Sequence, residues 1–465
     1  MKLESTIWAS LPLCLLLTGC PLTDHYRVQD DSLAAAGTHA AGNAGEAAGR
    51  GDALGGDGST VGDAGESASV GGNFGAGGHG GETETAGNAT GGSDCSTTCD
   101  VKPGCFADSC TGSWVKMASP PPLVAPRSKA AAVAMGSAVF IWGGLDNEGK
   151  ALDNGAIYEP AKDLWTPLLR DTGSPSGRIM ATAVWTGAAS NKVIVYGGTD
   201  AAGGMVYRDG AIYDVFNNSW AALPPNMMGN KRSAAFGYWD GSRAVFFGGL
   251  NGVASVAGAD RFDLKNWSPS TMNGDPGLLG FSAIGFDGSV MYLQGGVIGS
   301  TRQDKVFAYT SSTDRWATLP TGPSARTGAF GAWAGTEFVV WGGQADAGLL
   351  NDGKALSGST WSEITASSVL SARRVGFGRS GWAFQVQPGV IAILGGQTST
   401  TGSNETLATD GATYAVQSGQ WSAIPPWPSA ETHEYGIGVW TGKEFVLWGG
   451  RQQNVSTPNG ERWAP

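Results

Sequence analysis

Cationic side chains recur at one position of an internal repeat in this 465-residue sequence. The repeat is marked by pairs of consecutive glycines. The cationic position lies sixteen residues before the first glycine of a pair. In the second repeat it lies slightly further back, because a turn is longer there. Its seven occupants are Arg127, Arg178, Arg232, Leu279, Arg326, Arg379 and His433. Guanidinium groups offer paired donors that match carboxylate or phosphate, and several around one centre reinforce each other's field. The pattern therefore predicts an anion-binding funnel formed by the five arginines and His433.

A structural role for the same arginines is the alternative. Asp209, Asp352 and Asp410 each stand beside a glycine at the start of a later strand of the repeat, on the side where the arginines are expected. Their carboxylates could pair with the guanidinium groups and leave nothing for a ligand. The sequence leaves both interpretations open.

The glycine pairs follow short β-rich runs seven times, at intervals of 47 to 54 residues. The pairs begin at Gly143, Gly197, Gly248, Gly295, Gly342, Gly395 and Gly449. Tight turns such as Asp240-Gly241 join each run to a preceding one, as expected for a β-hairpin. A variable loop, a third run and a fourth run with a tryptophan follow. The repeat therefore predicts seven antiparallel units of four strands.

The two ends of the chain each supply part of one unit. The segment at Trp463 aligns with a third strand, and no fourth strand follows it. A spare fourth strand, with Trp114, precedes the first unit. We predict that the two pair, because such closure removes an open sheet edge.

Residues 113–465 resemble the kelch-repeat family in their glycine pairs, their tryptophans and a period near fifty residues. The resemblance implies an all-β, seven-bladed β-propeller around a central channel. In kelch adaptors that hold acidic peptides, arginines at this repeat position contact the ligand, which implies the same role for the arginines of this chain.

The N-terminus resembles a bacterial lipoprotein signal. Lys2 precedes a short apolar run that leads into Leu17-Thr18-Gly19-Cys20, which matches the lipobox. The run is too short for a permanent membrane span. We expect residues 1–19 to be removed and Cys20 to carry the lipid, so that the membrane is one partner of the protein. Pro21, in place of aspartate, favours the outer membrane.

Residues 20–94 are rich in Gly, Ala, Ser and Thr, a composition that favours a disordered tether. Eleven acidic residues against Arg27 and Arg50 place most of the formal net charge of −11 in this segment. The nearly neutral remainder lacks the basic field that nucleic-acid binding needs.

Four cysteines mark the segment 95–112, where the tether is expected to end. They are Cys95, Cys99, Cys105 and Cys110. In an exported protein they predict two disulfides with three possible pairings. A zinc knuckle is the alternative, although the gaps do not match the common CxxC pairs.

No catalytic constellation stands out in residues 113–465. The propeller has one histidine, so a copper site of the galactose oxidase kind is excluded, and no metal or other cofactor is predicted. We expect a monomeric, noncatalytic binding module at the cell envelope with a protein or glycan ligand. The alternatives are a sialic-acid epimerase of the kelch kind, with Glu434 beside His433 for acid–base chemistry, and a purely structural envelope protein.

Overall fold

The computed structural model describes residues 112–277, 279–376, 381–399, 406–429, 431–453 and 455–465. These residues form seven four-stranded antiparallel sheets, each with its first strand beside a central channel. The fold is the all-β, seven-bladed β-propeller that the repeat predicts. In the described part of the chain, no helix has the length and apolarity needed to cross a membrane.

The blades are numbered along the chain. Within each blade, the four strands are numbered from the channel to the rim. The first strands are Ala131–Met135, Thr182–Trp185, Phe236–Trp239, Ala283–Phe286, Phe330–Trp333, Gly381–Gln387 and Ile437–Trp440. The second strands are Ala138–Trp142, Lys192–Tyr196, Ala244–Phe247, Val290–Gln294, Phe338–Trp341, Val390–Gly395 and Phe445–Trp448. The third strands are Gly155–Glu159, Gly210–Asp214, Ala259–Phe262, Val306–Thr310, Gly353–Ser357, Gly411–Ala415 and Gly460–Ala464. The fourth strands are Leu164–Pro167, Ser219–Ala222, Trp267–Pro269, Arg315–Leu319, Thr360–Ile364, Gln420–Ile424 and, for blade 7, Ser113–Lys116.

Small elements complete the structure. One 3-10 turn, Pro160–Lys162, joins the third and fourth strands of blade 1. Four two-stranded hairpins follow glycine pairs. They are Leu250–Asn251 with Ala254–Ser255, Val297–Ile298 with Thr301–Arg302, Gln344–Ala345 with Gly348–Leu349, and Arg451–Gln452 with Val455–Ser456.

The core lies between neighbouring blades. Second strands are continuous apolar runs because both of their faces are covered by other blades. Phe140 of blade 1, for example, is fully buried, and its ring centroid lies 5.6 Å from that of Tyr213 and 6.2 Å from that of Trp220, both in blade 2. Blade-to-blade packing of this kind stabilises each sheet only when its neighbours are present.

The chain termini close the circle as the repeat predicts. The strand Ser113–Lys116 pairs with the last third strand, with Trp114 opposite Trp463. The first strands of blades 1 and 7 are also in contact. Blade 7 therefore has three strands from the C-terminus and one from the N-terminal side.

Glycines open five of the third strands, where neighbouring strands approach closely. A Cβ on Gly210 would lie 1.9 Å from the carbonyl oxygen of Val195. We predict that Gly210→Ala lowers the free energy of unfolding by about 1–3 kcal/mol, because the second and third strands must separate to admit the methyl group.

Gly204→Ala is the matched control, since nothing lies within 4 Å of a Cβ there. It should change the stability by less than about 0.5 kcal/mol. Urea unfolding of the two variants measures the difference, and equal losses would contradict a steric origin.

Candidate functional site

Four of the five predicted arginines, together with Arg373 in blade 6, have buried side chains. In each of the five blades with an arginine at the repeat position, Nη1 donates to the carbonyl oxygen of the first glycine of that blade's pair. The distances are 3.0 Å for Arg127, 3.1 Å for Arg178, 2.7 Å for Arg232, 3.0 Å for Arg326 and 3.1 Å for Arg373. Each of these residues is 1% exposed. We call these five arginines, with His433, the inter-blade ring.

Main-chain hydrogen bonds extend the ring from blade to blade. In five of the seven pairs, the second glycine donates its N–H to the carbonyl oxygen of the ring residue in the next blade, as Gly144 does to Arg178 at 2.9 Å. The same contact closes the circle from Gly450 to Arg127 at 2.8 Å. Gly143 and Gly144 have φ values of 71° and 100°, a region that L side chains rarely adopt. These bonds join the ends of five second strands to the neighbouring blade.

Carboxylates partner four of the five arginines. Arg178 lies 2.8 Å from Asp209, Arg232 2.6 Å from Asp260, Arg326 3.1 Å from Asp352 and Arg373 2.7 Å from Asp410. The side chains of Asp209 and Asp352 remain 66% and 56% exposed, whereas the side chain of Asp260 is 2% exposed. This geometry favours the structural interpretation of the arginines over direct contact with an anionic ligand.

The ring residue of blade 6 is Arg373, so the sixteen-residue count to Arg379 misplaced that position. Arg379 itself lies outside the described residues. The bulge between Gln385 and Gln387 lengthens the interval by one residue. The other extra residues lie between Arg373 and Trp382, which pairs with Leu394 as Phe330 pairs with Trp341 in blade 5. A Ser-x-Arg pattern could have found Arg373, since Ser371 Oγ accepts from its Nη2 at 3.1 Å.

Serines at the same offset support that pattern. Ser176 and Ser324 accept from Arg178 and Arg326 at 3.0 Å and 2.9 Å. Each serine hydroxyl accepts a hydrogen bond from Nη2 of its arginine, so that fewer guanidinium donors remain for a ligand.

Arg127, Leu279 and His433 depart from the arginine–aspartate pattern. Arg127 donates to main-chain oxygens, including that of Asn154 at 2.9 Å, and burial lowers its pKa to about 10 despite the nearby Asp146. Leu279 takes the blade 4 position and is 8% exposed. The ring is thus asymmetric, with no cation at this position in blade 4.

His433 is fully buried beside Glu461 of the closing third strand. Its Nδ1 donates to the carbonyl oxygen of Gly449 at 2.6 Å, and its Nε2 lies 3.2 Å from Glu461 Oε2. Glu434 lies 3.5 Å from Arg451 instead. His433 and Glu434 are thus each placed beside a different charged side chain, Glu461 and Arg451 respectively.

The carboxylate of Glu461 should make stability depend on pH. Burial by itself raises the pKa of Glu461, but hydrogen bonds from His433 and Ser429 hold it below the usual 4.5. Because the pKa of Glu461 is lower in the folded state than in the unfolded state, its carboxylate stabilises the fold above pH ~4.5. This stabilisation is lost as the pH falls through the folded-state pKa.

We predict that the stability difference between the native protein and Glu461→Gln shrinks as the pH falls from about 5.5 to about 3.5. Urea unfolding at three pH values in this range measures it. The exposed pair of Lys354 with Glu363 is the control, because Glu363→Gln should change stability little at any of these pH values. A difference that grew on acidification would contradict the assignment.

The central channel contains a cavity of about 660 Å³. Aromatic side chains from five blades contribute to its wall. They are Phe236, Phe281, Phe330, Trp382, Phe384, Tyr435 and Trp440. Phe384 and Trp440 stack at 5.0 Å between ring centroids. Sequence analysis did not single out these residues, which lie in first strands or immediately before them.

Exposed apolar side chains concentrate on one end of the propeller. In a four-stranded antiparallel blade, the connections from second to third strand and from each fourth strand to the next blade leave from the same end. We call this end the loop face. It carries eleven of the fourteen exposed large apolar side chains in the described residues: Leu123, Leu169, Met205, Met227, Met228, Val253, Met272, Phe281, Ile298, Val369 and Val455.

The remaining predicted sites lie outside the described residues. These are the signal segment 1–19, Cys20, the tether 20–94 and the four cysteines Cys95, Cys99, Cys105 and Cys110. Within the described residues, no three His, Cys, Asp or Glu side chains are grouped closely enough to hold a metal ion.

Comparison with known proteins gives no assignment: no protein-family model matches the chain, and no curated protein matches it significantly.

Proposed function

We propose that this protein is a noncatalytic binding module of the kelch type, anchored to the cell envelope by a lipid on Cys20. The observation that carries the proposal is the concentration of exposed apolar side chains on the loop face. Loops that present exposed apolar side chains on a rigid scaffold are typical of interaction sites, since exposing such side chains to water is unfavourable. The ligand is a protein or glycan, and the inter-blade ring holds the loops in place around it.

Met227 and Met228 are the anchors we would test first. They are 73% and 78% exposed in the connection between blades 2 and 3. Flexible thioether side chains adapt to irregular partner surfaces, and a few central apolar residues supply most of the affinity of an interface. Met272, 61% exposed, lies on the same face in the connection between blades 3 and 4.

A binding screen of the full-length lipoprotein tests the proposal. Envelope proteins and a glycan array serve as ligands, and each positive is measured again with Met227→Asp/Met228→Asp. We expect a loss of affinity of at least about tenfold, which corresponds to about 1.4 kcal/mol. Phe216→Asp is the control, because Phe216 is 71% exposed but lies in a turn at the opposite end.

Two results would overturn this function. One is the absence of any partner that distinguishes the two variants. The other is turnover of a sugar by the purified protein, which would favour the epimerase alternative.

The anchor has its own test. Cys20→Ser should move the protein from the membrane fraction to the periplasmic or medium fraction, because the lipid supplies its membrane affinity. Retention of the variant in the outer membrane would contradict lipid anchoring without affecting the proposed loop-face site.

A further inference from the structure

The channel cavity has a mainly apolar wall with several aromatic side chains. Trp382, Phe384 and Trp440 form an aromatic cluster on blades 6 and 7, and Phe281 lies at the mouth on blade 4, 40% exposed. Among the described residues that line the cavity, the titratable side chains are Lys129 and Tyr435. An apolar pocket with a few polar groups is the usual form of a small-molecule site.

Lys129 is the charged residue of this wall. It is 5% exposed, and its Nζ has no hydrogen-bond acceptor among the described residues. The ammonium lies 4.7 Å from the centre of the Tyr435 ring. A buried ammonium without an acceptor is unfavourable, since it has lost its hydration without gaining a charged partner.

Among the described residues, two cations lie near one carboxylate at this place. Arg451 faces the same Tyr435 ring as Lys129, at 4.9 Å, and Glu434 lies 3.5 Å from Arg451. Burial first, and then Arg451, lower the pKa of Lys129 to about 8, against the opposing effect of Glu434. The amine is thus still mainly protonated at neutral pH.

We propose that the channel binds a small aromatic carboxylate, with its ring among the aromatic side chains and its carboxylate paired with Lys129. The carboxylate supplies the acceptor that Lys129 lacks, and the four-carbon stem lets the ammonium leave the Tyr435 ring to meet it. The cavity volume suits a ligand of one or a few rings. This site does not include Met227, Met228 or Met272 of the loop face, although Phe281 belongs to both the loop face and the channel wall.

Calorimetric titration of the full-length protein tests the proposal, with 2-naphthoate and its neutral analogue 2-naphthamide as probes. We expect the carboxylate to bind about tenfold to a hundredfold more tightly than the amide, as a charge-assisted hydrogen bond implies. Equal affinities, or no detectable binding of 2-naphthoate, would overturn the proposal. This comparison uses the native protein and does not depend on the folding of a variant.

Two variants locate the site. Lys129→Met should reduce 2-naphthoate binding to the level of the amide, while Lys192→Met, whose ammonium lies 2.6 Å from Asp214, should leave it unchanged. Ala234→Trp, at the exposed mouth position of blade 3, should obstruct entry of both probes, whereas Ala202→Trp in an exposed turn should not. Undiminished 2-naphthoate binding by Lys129→Met would overturn the assignment.

The binding screen described above distinguishes the channel site from the loop-face site. Lys129→Met should retain every partner that binds the loop face, because Lys129 is buried. Failure of the screen with intact 2-naphthoate binding would reject only the loop-face function.

Discussion

Replacing Asp260 with alanine is expected to lower the free energy of unfolding by about 3–5 kcal/mol. Asp260 Oδ2 lies 2.6 Å from Arg232 Nε, and the two residues are 2% and 1% exposed. Removal of the carboxylate leaves a buried guanidinium whose charge is unpaired. Urea unfolding monitored by tryptophan fluorescence measures the loss.

The equivalent ion pair of blade 2, whose aspartate is exposed, provides the control. Asp209 pairs with Arg178, but its side chain is 66% exposed, so water can replace the carboxylate. Asp209→Ala should therefore cost about 1 kcal/mol or less. A similar loss in both variants would show that the buried position of Asp260 is not the cause.

The second large effect is expected from Trp463→Ala, at about 3–5 kcal/mol. The indole is fully buried in the core between blades 6 and 7, and it belongs to the strand that pairs with Ser113–Lys116. The substitution leaves a cavity at the place where the circle closes. Thermal and urea unfolding both report it.

Phe216→Ala serves as the comparison for Trp463→Ala. Phe216 is 71% exposed, so its removal should alter the stability by less than about 0.5 kcal/mol. If Trp463→Ala were equally neutral, the pairing of the two chain ends would contribute little to the stability of the propeller.

The contacts of the inter-blade ring change where ligand contacts are expected. Guanidinium groups that already donate to glycine carbonyl oxygens and aspartates cannot approach a ligand without breaking the joints between blades. The loops and the channel wall carry no such constraint. Binding variants should therefore be sought at Met227, Met228 and Lys129 before Arg326.

Blade number and closure could be read from the sequence because each depends on local pattern. Glycine pairs, hairpin turns and apolar runs recur in every unit. One spare fourth strand before the first unit and one missing fourth strand in the last unit leave one consistent pairing. The pairing of Trp114 with Trp463 was predictable for this reason. The position of Arg373 was not, because a fixed count cannot allow for extra residues between the ring position and the first strand.

The candidate sites were less predictable, since they depend on contacts between distant residues. Aspartates near the arginines were visible in the sequence, but Asp260 was missed because no glycine stands beside it. The aromatic wall of the channel combines side chains of different blades, and Lys129 is unusual only because of the neighbours that the fold gives it.

By itself, the sequence determined that seven β-rich units close into a ring, because strand patterning and turn chemistry act over a few residues. Only the tertiary structure decided which donors and acceptors are already paired, because those pairs form between blades far apart in the chain. It placed the arginines in the joints between blades and left Lys129 as a buried cation beside an aromatic channel.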